Sequence, residues 1–279
     1  MWYAVFALLL LLVLAELYAL SLRCRKGHPD WPYLRLWRYA HRGFHDKPTI
    51  PENSMAAFRR AVENRFGAEL DVHLMRDGKL AVIHDSSLLR TAGVDIAVED
   101  LTAEELKQYR LEGTDETIPL LEEVLALFED KTPLIVELKA ERGNYDRLAE
   151  ATVAMLDKYR VRYCIESFDY RCLRWLRKNR PEIVRGQLAE QFSRHGDAAY
   201  LSWIARFILS NMLMNFQGVP DFVAYRFSDR GCLSVRLCRG IYKVQEANWT
   251  ITRREEMEAA EKAGNIIIFE RFDPRGDNK

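Results

Sequence analysis

The chain has 279 residues, 48% of them apolar and 29% charged, which excludes a disordered protein and suits one large α/β domain or two small ones. Lys plus Arg and Asp plus Glu both number 41, so the net charge is zero and nothing electrostatic points to nucleic acid as a partner. The cysteines (Cys24, Cys164, Cys172, Cys232 and Cys238) are odd in number and form no C-x-x-C pair, which suits a reducing compartment better than a disulfide framework.

Trp2 to Leu22 carries one charge, Glu16. With about 20 residues needed to cross a bilayer, it is long enough for one membrane-spanning helix. A cleaved signal peptide is the rival reading, but its basic n-region is missing and no convincing small-x-small cleavage site precedes Arg23. A buried core helix is the third. Arg23, Arg25 and Lys26 follow the run, so the positive-inside rule places the N-terminus outside and the large domain in the cytoplasm. Residues 23–37 then read as a juxtamembrane linker, whose Trp31, Tyr33 and Trp37 rest at the headgroup level or pack under the domain.

Arg38-Tyr39-Ala40-His41 reads as a first strand that runs into His41-Arg42-Gly43. Asn53 or Ser54 caps a helix over Met55 to Asn64, where Ala57, Phe58, Ala61 and Val62 form one apolar stripe. Gly67 to Leu74 is a second strand, and Lys79 to His84 returns after the Asp77-Gly78 turn. A helix over Leu101 to Tyr109 is capped by Thr102, and Ile118 to Glu123 opens another with Pro near its first position.

Pro133 to Leu138 is an apolar, β-branched strand ending in acid and base, Glu137 and Lys139. A helix over Tyr145 to Tyr159, a strand over Val161 to Glu166, a helix over Tyr170 to Asn179 and a strand near Ile183 to Leu188 follow. Ala198 to Phe216 is apolar but holds Arg206; a charge there costs roughly 2.5–3.5 kcal/mol on insertion scales, so an amphipathic helix covering a sheet is expected rather than a second span. Strands at Asp221 to Tyr225, Ala247 to Ile251 and Asn265 to Phe269, with a helix over Arg253 to Ala263, complete the chain.

About eight strand–helix alternations from residue 38 onward are the pattern of a (β/α)8 TIM barrel. The first strand lacks the Gly-x-Gly-x-x-Gly turn of a dinucleotide-binding sheet, the open-sheet alternative. The expected organisation is thus a transmembrane helix (1–22), a linker (23–37) and one barrel (38–279).

Glu69 and Asp71 alternate on the second strand and share a face. Two like charges side by side are costly unless compensated, and either a divalent metal or plain exposure to water accounts for them. Barrel enzymes carry their chemistry at the C-terminal ends of the strands, and the ionisable residues gather there: His41 and Arg42, Glu69 and Asp71, His84 and Asp85, Glu137 and Lys139.

The ordered motifs His41-Arg42-Gly43, Pro51-Glu52-Asn53-Ser54, Glu69-x-Asp71-Val72, Asp77-Gly78, Val82-Ile83-His84-Asp85 with Leu89-Arg90-Thr91, Ile118-Pro119-x-Leu121-Glu122-Glu123, Val136-Glu137-Leu138-Lys139, Ser167-Phe168 and Trp249-Thr250-Ile251 resemble the glycerophosphodiester phosphodiesterase family over roughly residues 38 to 272. The resemblance implies a TIM-barrel phosphodiesterase with one divalent metal, Mg²⁺ or Ca²⁺ with Mn²⁺ also admissible. It implies Glu69, Asp71 and Glu137 as metal ligands, His41 and His84 as the acid/base pair, and Arg42 and Lys139 as the phosphate's countercharges. His73, Phe168 and Trp249 are then pocket candidates, His73 first because it shares a strand face with the acids. Segment 86–118 matches the insertion that this family places beside its site. Met75, Thr252 and Glu270 depart from the family's usual Thr, Asn and Asp.

The expected activity is hydrolysis of glycerophosphodiesters to a glycerol phosphate and an alcohol. Lysophospholipase D or a phospholipase reaction on a membrane lipid is the alternative, and a non-catalytic tethered barrel the other class.

Overall fold

The structure, a computed structural model, describes residues 2–194 and 201–276. Nine strands form one sheet: β1 (Arg38–Ala40), β2 (Gly67–Leu74), β3 (Leu80–Val82), β4 (Leu134–Leu138), β5 (Tyr163–Ser167), β6 (Arg185–Ala189), β7 (Phe222–Arg226), β8 (Gln245–Ile251) and β9 (Ile266–Phe269). All but β3 run parallel in the order β1-β9-β8-β7-β6-β5-β4-β2, and β1 pairs with β2 to close the ring. This is the eight-stranded TIM barrel that the alternation predicts. β3 is the return strand, antiparallel to β2 beyond the barrel wall.

The helices are α1 (Trp2–Ser21), α2 (Trp31–Leu34), α3 (Met55–Glu63), α4 (Leu89–Ala92), α5 (Ala103–Leu106), α6 (Leu121–Phe128), α7 (Tyr145–Leu156), α8 (Tyr170–Asn179), α9 (Trp203–Ser210), α10 (Asn215–Gly218), α11 (Leu233–Ile241) and α12 (Arg254–Lys262). Ser54 caps α3, accepting from the Ala57 N–H. Buried Ala57, Phe58 and Ala61 seat the helix on the outer faces of β1, β2 and β9, against Ala40, Ala68 and Phe269. The inner faces supply the barrel's own filling, where Tyr39, Ile135, Cys164, Leu188, Phe222, Ala224, Ala247 and Ile268 meet in one cluster. That packing is so close that a Cβ on Gly186 would stand 2.1 Å from the Phe222 ring.

Below the barrel, Trp31 is buried against Phe222 at 5.2 Å between ring centres, and its Nε1 donates to Gln245 Oε1 at 2.8 Å. Of the two places open to the aromatics of 27–37, Trp31 takes the one under the domain.

Several expected elements shift. The helix expected over Leu101 to Tyr109 contracts to the single turn of α5, held by a capping box between Thr102 and Glu105. α6 begins at Leu121, because Pro119 is still extended and its carbonyl accepts from Val82 N–H. The apolar 198–216 stretch is not one helix covering a sheet. Among its described residues it splits into α9 and α10 at Met212, whose φ of 53° cannot continue a helix. α9 buries only Ser210 and turns Trp203, Ile204 and Phe207 outward; residues 198–200 lie outside the described ones. α11, which the sequence reading leaves unassigned, covers the flank of β7 through Val235 and Cys238, packed with Val223 and Tyr225.

α1 is long and apolar enough to cross a membrane, and none of its residues is buried.

Candidate active site

Register places the acids. Asp71 on β2 pairs with Glu137 on β4, and Glu137 pairs with Glu166 on β5, so three adjacent strands carry carboxylates in one layer. Glu69 lies two residues earlier on the same face of β2. All four are buried. Ligand oxygens of Glu69, Asp71 and Glu137 lie within 4.8 Å of one another.

The burial is uneven in its electrostatic effect. Removal from water, with Asp71, Glu137 and Glu166 nearby, pushes the Glu69 carboxyl well above its usual range. Burial likewise raises Glu166 and lifts Glu137 to about 7, against the pull of Lys139. Asp71 goes the other way: burial alone would raise it, but Lys139, His84 and Arg42 together hold it well below. Lys139 Nζ stands 3.0 Å from Asp71 Oδ1 and 2.6 Å from Glu137 Oε1. Arg42 Nε adds a second cation 3.5 Å from Asp71 Oδ2, but two cations cannot neutralise four buried carboxyls, and Glu166 Oε2 accepts no hydrogen bond. An all-oxygen, anionic set missing positive charge fits a hard divalent cation such as Mg²⁺ or Ca²⁺.

The loop after β1 is shaped to close this cluster. Arg42 (φ 53°) and Gly43 (φ 79°) are both left-handed, which turns the Arg42 N–H onto Glu69 Oε2 at 3.0 Å. Gly43 admits no side chain, because a Cβ would stand 2.9 Å from Ala57 Cβ. Asn53 is left-handed too (φ 52°), and its Nδ2 donates to Asp71 Oδ2 at 2.8 Å while its N–H donates to the Arg42 carbonyl.

Both proposed acid/base histidines are braced through Nδ1. His41 Nδ1 lies 2.8 Å from Glu270 Oε2, and His84 Nδ1 lies 2.6 Å from Asp85 Oδ1. With carboxylates as partners, Nδ1 carries the proton in each ring and Nε2 is left free. His41 Nε2 faces Glu69 Oε2 at 3.9 Å. Burial and the Arg42 charge hold His41 below its ordinary value. Burial and Lys139 take His84 to about 4.

His41, Arg42, Glu69, His84, Glu137, Lys139 and Trp249 line one cavity, with Glu166 and Phe168. Asp71 lies beneath, bound to Lys139 and Asn53. The structure thus brings together every residue nominated from the sequence except His73. That histidine is buried behind the site, where Nδ1 meets Glu99 at 2.6 Å and Nε2 the His84 carbonyl at 3.1 Å. It shares the strand face, but lies one pair past Asp71 at the level of β3, beyond the barrel wall. It holds the His84 loop to segment 86–118, which packs its own small core from Leu88, Val98, Leu101, Leu106, Leu111 and Ile118.

The sequence profile of the glycerophosphoryl diester phosphodiesterase family matches residues 41–269. The chain belongs to this family. A glycerophosphodiester phosphodiesterase of Caldanaerobacter subterraneus subsp. tengcongensis is 32% identical over 81% of this chain and 89% of its own length. Among solved structures, the Thermotoga maritima glycerophosphodiester phosphodiesterase aligns with a TM-score of 0.62 at 26% identity, covering 83% of this chain and 92% of that one. An Oleispira antarctica phosphodiesterase, solved with its product sn-glycerol-3-phosphate, shares the fold at a TM-score of 0.64 and 23% identity, over 90% of this chain and 94% of that one.

Sequence reasoning about this family member missed Glu166, Arg90 and the bracing role of Glu270. Glu166 ends the apolar strand β5 as Glu137 ends β4, so the pattern was available. Arg90 joins Glu52 at 2.7 Å and also pairs with Asp85, tying the β1 loop to the His84 loop. Glu270 directly follows β9, whose neighbour is β1, so only the closed ring brings it to His41.

Proposed function

We propose that the chain hydrolyses glycerophosphodiesters to sn-glycerol 3-phosphate and an alcohol in a metal-dependent reaction. The observation that carries this reading is the acid layer Glu69, Asp71 and Glu137 facing two carboxylate-braced imidazoles and the cations of Arg42 and Lys139 in one cavity. Membership of the family supports it.

Glu69, Asp71 and Glu137 would hold the cation, Mg²⁺ or Ca²⁺ with Mn²⁺ also admissible. When bound, the ion supplies positive charge to a phosphodiester that otherwise repels nucleophiles. Arg42 and Lys139 add two fixed cations to the same face, where charge builds on the phosphoryl oxygens in the transition state. Nε2 of one imidazole takes the proton from the attacking hydroxyl, and Nε2 of the other returns one to the departing alkoxide. Glu270 and Asp85 hold the Nδ1 proton of both rings and leave Nε2 to react, as acceptor in the neutral ring that is the base and as donor in the imidazolium that is the acid. Trp249 and Phe168, edge-on at 5.7 Å, form one wall of the cavity.

In this reading α1 anchors the protein as a single-pass membrane helix, residues 23–37 join it to the barrel 38–279, and segment 86–118 flanks the substrate. The basic residues Arg23, Arg25 and Lys26 favour a cytoplasmic barrel. The anchor makes lysophospholipids, alongside water-soluble glycerophosphodiesters, the substrate class to test.

The test is the purified full chain with added Mg²⁺ or Ca²⁺, given glycerophosphocholine and lysophosphatidylcholine, with His41→Ala and His84→Ala as controls. Release of glycerol phosphate or choline should fall by about 10²–10⁴-fold in either variant. No release from either substrate by the wild-type chain would sink the reading.

A further inference from the structure

The last turn of α1 is fixed to one flank of the barrel. Tyr242 Oη donates to the Ala19 carbonyl at 2.7 Å. Leu22, completely buried, sits among Ala189, Met212, Tyr225, Val235 and Cys238. Arg25 N–H then donates to the Pro220 carbonyl at 2.8 Å, and its guanidinium forks onto Asp221. The flank that receives α1 is therefore the one built by β7, α10 and α11.

The length of α1 sets how near that flank must come to a bilayer. Its 20 residues rise about 30 Å, the thickness of a hydrocarbon core. Contact with the barrel begins inside the helix, at Tyr18 and Ala19, so a spanning α1 leaves no spacer between membrane and protein.

Among the described residues, the same flank carries large outward-facing apolar side chains at the barrel's mouth. On α9, Trp203 is 73% exposed, Ile204 51% and Phe207 57%, at spacings that place them together on one face. α9 is pinned at the mouth end of the strands, since Tyr225 Oη donates to the Ser210 carbonyl and Phe192 N–H to Ser210 Oγ. From Phe192 an aromatic row leads inward: Phe192 to Phe168 at 5.7 Å, then Phe168 to Trp249 at 5.7 Å, in the wall of the acid-lined cavity. An apolar helix face with a Trp, beside a spanning helix, has the composition of an interfacial membrane contact.

We propose that α9 rests in the headgroup region of the bilayer that α1 enters, and that Phe192, Phe168 and Trp249 form the track by which a single-chain glycerophospholipid passes from the leaflet to the acid cluster. The docking half stands on the anchor alone. The delivery half rests on the hydrolase reading above, and the occupant of the α9 face is a phospholipid surface.

Two measurements on the full chain in phosphatidylcholine nanodiscs separate these halves. In a Cys232→Ser background, which removes the one cysteine that is not buried, an environment-sensitive label is placed at Ile204→Cys. A second label is placed at exposed Arg35→Cys, beneath the barrel. The label at 204 should be quenched by spin-labelled lipid and shielded from iodide, and the label at 35 should show the reverse. Iodide access at 204, lipid quenching at 35, or shielding at 204 from iodide with no quenching by spin-labelled lipid, as when a second copy covers it, would each overturn the docking.

The companion variant Trp203→Ser/Phe207→Ser changes only exposed side chains. It should lose about tenfold in turnover of bilayer-borne lysophosphatidylcholine while glycerophosphocholine turnover stays within about twofold. Equal effects on both substrates would overturn the delivery track. A chain that hydrolyses neither substrate refutes the hydrolase reading instead and leaves the label result to decide the docking.

Discussion

At the residue scale, the proposed catalytic residues are held in place by neighbours. Glu270 keeps His41 Nδ1 protonated, and its charge opposes the burial that lowers the ring's affinity for a proton. Glu270→Gln keeps the shape but removes the charge, so the His41-dependent limb of the kcat/KM–pH profile should move to lower pH. The plateau should fall by about tenfold or more. An unchanged profile would show that His41 does not titrate in catalysis. Asn53 acts on Asp71 in the same indirect way, through one 2.8 Å hydrogen bond. Asn53→Ala should weaken divalent-cation affinity by about 10-fold in calorimetric titration while leaving the fold intact.

At the element scale, the β1 loop is the most constrained part of the site. Gly43 combines a positive φ with a contact that has no room for a methyl group. Gly43→Ala should cost on the order of 1–3 kcal/mol of stability, read as a lower Tm, and should cost activity as well because Arg42 N–H loses Glu69.

The same scale shows what the sequence can and cannot carry. Strands were legible from apolar runs such as Leu134-Ile135-Val136; Glu137 and Lys139 could be placed because they end that run, and Glu69 and Asp71 because they alternate within β2. Glu270 and Arg90 were not legible as site residues: Glu270 lies 229 residues from His41 and only closure of the barrel joins them, and Arg90 reaches Glu52 across 38 residues from another loop. His73 misled because alternation fixes which face a side chain takes but not how far along the strand the cavity extends. The 198–216 stretch misled for a different reason. Its apolar content is real, but a left-handed Met212 breaks it and α9 turns that content outward rather than onto the sheet.

At the scale of the whole molecule, a cation held by the acid cluster would couple to stability and pH. Burial pushes Glu137 up to about 7, above an ordinary glutamate, so the metal-free folded chain holds a proton there that the unfolded chain releases near its lower value. Stability from this group is therefore present at low pH and is lost as pH rises from the ordinary glutamate range through about 7. The metal-free protein should lose Tm between pH 6 and pH 8, and added Mg²⁺ or Ca²⁺ should raise Tm more at pH 8, where protons no longer compete for the carboxylates. His84 has the opposite sign: its value of about 4 means that its contribution is present above the ordinary histidine range and lost as pH falls toward 4. A Tm gain from cations that is the same at pH 6 and pH 8 would argue that they bind elsewhere.

The central claim is that Glu69, Asp71 and Glu137 hold the cation on which phosphodiester hydrolysis depends. Its most direct test is the rate of sn-glycerol 3-phosphate release from glycerophosphocholine before chelation, after EDTA, and after return of Mg²⁺ or Ca²⁺, run in parallel on wild type and Glu69→Gln. The account predicts loss with EDTA and recovery with the cation in wild type, and no recovery at matched cation in the variant. Hydrolysis that persists through EDTA, or a variant that recovers as fully as wild type, would contradict it.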